Sequence, residues 1–151
     1  IPTFGDLDGD GDQDLILGLE NGTVVYQENT ASSSTTAVFG APQLNFTDQA
    51  GSIITTGSYC FPQLFDLDKD GLLDLILGKK TGELMYYKNT GTSSSPTFEL
   101  ITSNLGGIDV SPSTPEGYAA PHFFRWNDTT YLLLGSNTGK LHFYNKGVEL
   151  R

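Results

Sequence analysis

The chain has 151 residues, enough for one sizeable core and about one domain, and its 18 acidic and 8 basic side chains leave a formal charge of −10. That balance excludes nucleic acid and anionic membrane as expected partners. No apolar run approaches a membrane span, and the lone Cys60 rules out an internal disulfide.

One unit is written almost three times. "PTFGDLDGDGDQDLILG" (2–18) returns as "PQLFDLDKDGLLDLILG" (62–78) and, altered, as "PHFFRWNDTTYLLLG" (121–135). The closing glycines are Gly18, Gly78 and Gly135. In the first copy "LILG" is a continuous apolar run bounded by turn residues, which predicts a short strand buried on both faces. Asn21-Gly22 then places glycine where a tight hairpin needs positive φ. The next strand, "TVVYQEN", points Val24 and Tyr26 to one side, and that side is expected to be buried. "TASSSTTA" reads as a polar connection, and "APQLNFTD" leads on towards the second copy.

The second copy repeats these parts. Thr81-Gly82 makes the hairpin, Leu84 and Tyr86 stand for Val24 and Tyr26, and "SPTFELIT" follows. In the third, Thr138-Gly139 makes the hairpin, Leu141 and Phe143 take the buried positions, and the unit stops early. The 18 glycines and 7 prolines break every candidate helix. Four strands per unit at this period predict an all-β fold of about three four-stranded antiparallel β-propeller blades, the last incomplete. The units are placed at 1–60, 61–120 and 121–151. Closed propellers use about four to eight blades, and the chain opens mid-motif with "IPTFGDLD". It is therefore expected to be a piece of a larger propeller.

Nine acidic side chains sit in two loops, both of the form D-x-D-x-D-G-x-x-D. In the first, Asp6, Asp8 and Asp10 supply carboxylates, Gly11 turns the backbone around an ion, Asp12 offers its carbonyl, and Asp14 closes the shell. The second repeats this with Asp66, Asp68, Asp70, Gly71, the Leu72 carbonyl and Asp74. Hard oxygen ligands in a flexible loop favour Ca²⁺ over Mg²⁺. The loop begins like an EF-hand, but position 12 is Leu17 or Leu77 and no helix flanks it. Two structural calcium ions are expected. Catalysis is not, since the carboxylates are all spent on coordination and no adjacent base would activate a bound water. In the third copy the loop is two residues shorter, Arg125 replaces the first aspartate and Tyr131 the last. No metal is expected there, and Arg125 is expected to pair with Asp128.

These loops resemble the FG-GAP/VCBS-like repeats of integrin-type β-propellers, with the pattern F-x-D-x-D-x-D-G-x-x-D-L-x-x-G. The resemblance implies four-stranded blades around an axis, with the calcium loop joining the first two strands of a blade. It also implies Asp6, Asp8, Asp10 and Asp14, then Asp66, Asp68, Asp70 and Asp74, as ligands. The pairing of the loops with the tyrosine-and-asparagine strand and with "SPTF" resembles large secreted surface proteins of Bacteroidota, many exported by the type IX system.

The function expected is that of a non-enzymatic, calcium-stabilised propeller segment of an extracellular or cell-surface protein, serving adhesion or protein–protein interaction. A protein partner, or the remaining blades of the same polypeptide, would cover its open faces. The alternatives are a carbohydrate-binding propeller, with glycan as partner, and an accessory domain of a secreted hydrolase. Trp126, Tyr118 and Tyr131 are the candidate sugar platform. His122, His142 and Cys60 are expected to pack or to lie on the surface.

Overall fold

The computed structural model describes residues 1–31, 36–111 and 116–145, and its strands form three antiparallel up-and-down sheets. The first contains β1 (Pro2–Gly5), β2 (Asp14–Gly18) and β3 (Val24–Gln27). The second contains β4 (Cys60–Phe65), β5 (Asp74–Lys79), β6 (Leu84–Asn89) and β7 (Phe98–Thr102). The third contains β8 (Ala120–Trp126), β9 (Thr129–Gly135) and β10 (Leu141–Asn145). The fold is all-β, and the sheets are consistent with propeller blades. The three copies even share one register: Pro2 stands opposite Leu17, Pro62 opposite Leu77, and Pro121 opposite Leu134. The hairpin glycines Gly22, Gly82 and Gly139 all take the expected positive φ, at 85°, 104° and 75°. One 3-10 turn, Leu105–Gly107, is the only helical element among the described residues.

Four strands are complete only in the middle sheet. In the first, the segment beside β3 is reduced to the isolated bridges Tyr26–Gln43 and Asn29–Phe39. Two features of this segment interrupt the ladder. Pro42 has no N–H to donate, and Asn45 sits at a φ of 55°. The third sheet has three strands among the described residues, and residues 146–151, with which the unit was expected to stop early, lie outside them.

The sheets stack face to face, so the core divides into two layers. Between the first and second sheets lie Ile16, Val24, Leu64, Leu75, Leu77 and Met85. Between the second and third lie Ile76, Leu84, Tyr86, Phe123, Leu132 and Leu134. The middle sheet is thus apolar on both sides, which explains the uninterrupted Leu75-Ile76-Leu77 run. The alternating face expected to be buried behaves differently in the third copy. Leu84 and Tyr86 are 0% and 2% exposed, whereas their counterparts Leu141 and Phe143 are 76% and 55% exposed. The pattern is the same; what differs is that no described residue packs over the third sheet's outer side.

The first strands of successive sheets run side by side, β1 beside β4 and β4 beside β8. Gln63 ties the last pair, with its Nε2 donating to the Phe123 carbonyl (2.8 Å) and its Oε1 accepting the Phe123 N–H (2.6 Å). Close approach explains the closing glycines. A Cβ on Gly18 would lie 2.5 Å from Pro62 Cδ and collide with the Cys60 carbonyl. A Cβ on Gly78 would lie 2.9 Å from Pro121 Cδ and collide with the Ala119 carbonyl. At Gly135 the same Cβ would meet only Ala120, its Cβ at 3.7 Å and its carbonyl oxygen at 3.9 Å, both ordinary contacts.

Cys60 is buried, and burial pushes its thiol up to about 12, as befits an inert packing residue. His122 lies on β8 and His142 on β10. The three aromatics expected to share a sugar platform do not pair with one another. Tyr118 packs on Tyr59 and Phe61, and Tyr131 stacks between Phe124 and Phe143.

Candidate metal centre

The two acidic loops join β1 to β2 and β4 to β5, and they share most of their hydrogen bonds. Each first aspartate holds the backbone of its own loop. Asp6 accepts the N–H of Gly9 (2.7 Å) and Gly11 (3.1 Å); Asp66 accepts those of Asp70 (3.1 Å) and Gly71 (3.2 Å). Asp8 and Asp68 each accept the N–H two residues on, at 3.3 and 3.2 Å. Asp10 and Asp70 do likewise with the N–H of Asp12 (2.8 Å) and Leu72 (2.9 Å), the two residues whose carbonyls are the expected seventh-position ligands. These are short side-chain-to-backbone bonds of the kind that aspartate favours in turns. The sharp bend falls at Gly11 (φ 94°) and Gly71 (φ 91°), where a Cβ would strain the backbone. Leu7 and Leu67, between the first two aspartates, are buried and pin the loop to the core.

The last aspartate of each loop is fully buried and has a second task. Asp14 accepts the N–H of Leu7 (3.0 Å) and of Asn29 (2.8 Å), so it ties the loop to the end of β3. Asp74 accepts the N–H of Leu67 (3.0 Å) and Asn89 (2.9 Å) and the hydroxyl of Tyr86 (3.0 Å). Burial raises the pKa of both carboxyls, against the lowering effect of these backbone donors. Burial, together with the neighbouring carboxylates, raises the Tyr26 and Tyr86 phenols as well.

Side-chain oxygens of Asp6, Asp8 and Asp10 converge within 4.8 Å of one another, as do those of Asp66, Asp68 and Asp74. Both sets offer only carboxylate oxygen, the donor chemistry of a hard divalent cation such as Ca²⁺. The residues therefore fit the ion. Asp14 lies outside the first convergent set and Asp70 outside the second, where it pairs with Lys88 at 2.9 Å.

Sequence reasoning missed the role of Asn29 and Asn89. Both are buried; besides offering an N–H to the loop aspartate, each side chain organises the following turn. Asn29 Oδ1 accepts from Val38 (2.9 Å), and Asn89 Oδ1 from Gly91 (3.0 Å) and Thr97 (3.1 Å). The signal was their recurrence three residues after a tyrosine in both copies.

The third copy has no such loop. β8 and β9 are joined directly by Asn127 and Asp128, both at positive φ (46° and 59°), as in a two-residue hairpin turn. Two residues cannot wrap an ion. The expected Arg125–Asp128 pair does not form. The Arg125 guanidinium lies over the Phe65 ring and donates to the Asp66 carbonyl (2.8 Å), and the Asp128 carbonyl accepts instead from Lys69 (2.8 Å).

Among the described residues no helix is long and apolar enough to cross a membrane. No curated protein and no solved structure matches the chain. Residues 6–77, from the first aspartate of one loop through the whole of the other, match the family described as FG-GAP-like repeat.

Proposed function

We propose that the chain is a calcium-stabilised, non-enzymatic β-propeller segment of an extracellular or cell-surface protein, serving adhesion or protein–protein interaction. The observation that carries the calcium reading is the double occurrence of one loop, with largely the same hydrogen bonds and a convergent carboxylate set, inside the FG-GAP-like match. Ions there are structural, since each loop is built into the link between two strands of a sheet. An extracellular setting supplies the calcium level at which surface modules of this kind fill.

Calcium at about 100 times its dissociation constant should stabilise each site by about 2.7 kcal/mol. The melting temperature should therefore rise by several degrees and return on adding EDTA, as read by differential scanning calorimetry. Identical melting curves with and without calcium would remove the reading.

The interaction role is supported by the outer side of the third sheet. His122, Phe124, Leu133, Leu141 and Phe143 occupy the positions that Gln63, Phe65, Ile76, Leu84 and Tyr86 use to pack against the next sheet. A further blade, from the same polypeptide or from a partner, fits that side. The isolated chain should then associate as its concentration rises, and Phe143→Lys should reduce the association, both measurable by light scattering. A strictly monomeric chain at all concentrations would count against the reading.

A further inference from the structure

The two loops fold alike but stand in opposite electrostatic surroundings. Lys88 Nζ bonds the Asp68 carboxylate and lies 2.9 Å from that of Asp70. Its placement follows from strand alternation, because residues 86 and 88 of β6 share a face and Tyr86 already reaches Asp74. At the corresponding place after β3 stands Glu28, which lines one cavity together with Asp8 and Tyr26. Two more positions differ in the same sense. Lys69 occupies the site of Gly9, and Arg125, donating to the Asp66 carbonyl, occupies the place held one copy earlier by Asp66. The first loop with Glu28 thus gathers six carboxylates: Asp6, Asp8, Asp10, Asp12, Asp14 and Glu28. The second has four, with Lys69, Lys88 and Arg125 beside them.

We propose that the charge at positions 28 and 88 makes the loops unequal calcium sites, the first filling at low calcium and the second held shut by Lys88 until calcium is high. The inference rests on the calcium reading above. Lys88 already neutralises Asp68, one of the three convergent carboxylates, so an ion entering the second loop must displace the ammonium. An ion entering the first loop displaces nothing and relieves the repulsion among its carboxylates. One elementary charge of either sign at this range changes affinity by about tenfold or more. The loops would then respond to different calcium levels. The first would be ordered by the ion, and the second would keep its fold without it.

Calcium titration of the whole chain by isothermal calorimetry tests this, with Asp8→Asn and Asp68→Asn assigning the heats to the first and second loops. Two classes of site are expected, separated by about tenfold or more. Lys88→Gln should tighten the weaker class about tenfold without moving the tighter one, and the exposed Glu28→Lys, a change of two charges, should weaken the tighter class by more than about tenfold. In EDTA, Lys88→Gln should lower the melting temperature and Glu28→Gln should raise it, a readout that needs no ion. Two classes of equal affinity, unmoved by either charge change, would overturn the inequality and leave calcium binding intact. Absence of calcium heats in every variant would overturn both. Should Lys88→Gln fail to fold, Glu28→Lys alone decides, since an unshifted first site refutes the proposal.

Discussion

Gly78→Ala is expected to destabilise the chain by about 3 kcal/mol, whereas Gly135→Ala is expected to change stability by less than about 0.5 kcal/mol. The two glycines close the same strand of the same motif, β5 in one copy and β9 in the next, so local propensity predicts equal effects. Their surroundings differ. A methyl group on Gly78 would run into the backbone carbonyl of Ala119 and the ring of Pro121, at the point where β8 crosses β5. Backbone cannot rotate aside as a flexible side chain would, so the second and third sheets must separate. At Gly135 the same methyl meets only Ala120, with its Cβ at 3.7 Å and its carbonyl oxygen at an uncrowded 3.9 Å. Urea denaturation of both variants measures the difference. Equal midpoints would mean that the sheet-to-sheet approach does not constrain the position. If a further blade packs on the third sheet in a longer protein, Gly135→Ala should become as costly there as Gly78→Ala is here.

Asp74→Ala in calcium-free buffer should cost about 3 to 4 kcal/mol. The side chain is fully buried and satisfies three donors: the Leu67 and Asn89 amides and the Tyr86 hydroxyl. Truncation leaves all three without a partner in a place water reaches poorly, at about 1 to 3 kcal/mol for each. The gain from no longer burying a charge offsets part of this, as the raised pKa indicates. Asp74→Asn should be milder, at about 1 to 2 kcal/mol, because the amide keeps one acceptor but sets its NH₂ against a backbone N–H. Keeping EDTA in both denaturation series separates the hydrogen-bonding role from any bound ion. A loss below about 0.5 kcal/mol for the alanine variant would show that the loop does not hold the sheet together.

Both expectations reach past what could be read from the chain alone. The repeats, the hairpin glycines and the two oxygen-rich loops were legible because their bonds are local. Asp6 meets Gly9 and Gly11, and Asp10 meets Asp12, through two to five residues of backbone. Such contacts depend on residue type and spacing, and spacing is what a sequence displays. The structure adds that the copies share one strand register, since Pro62 and Leu77 hold the same relative places as Pro2 and Leu17.

Tertiary structure decided the rest. The alternation that marks Leu84 and Tyr86 marks Leu141 and Phe143 equally, yet the first pair is buried by a neighbouring sheet and the second lies open. Nothing in the pattern of a strand says whether another sheet stands over it. The fourth strand of the first unit depended on whether a segment bearing Pro42 and a left-handed Asn45 could sustain a ladder, and it formed bridges instead. Arg125 chose the Asp66 carbonyl of the preceding sheet over Asp128, three residues away, because sheet stacking brought that carbonyl within 2.8 Å and its own hairpin closed in a two-residue turn. Lys88 found Asp68 and Asp70 only once β5 and β6 had paired, since the intervening chain of about 20 residues has to fold back before the charges meet. Sequence by itself therefore determined the repeated unit, its turns and the chemistry of its loops, all set by near neighbours. Which faces are covered, and which carboxylates carry a built-in cation, depended on contacts between distant residues, and those exist only after the sheets have stacked.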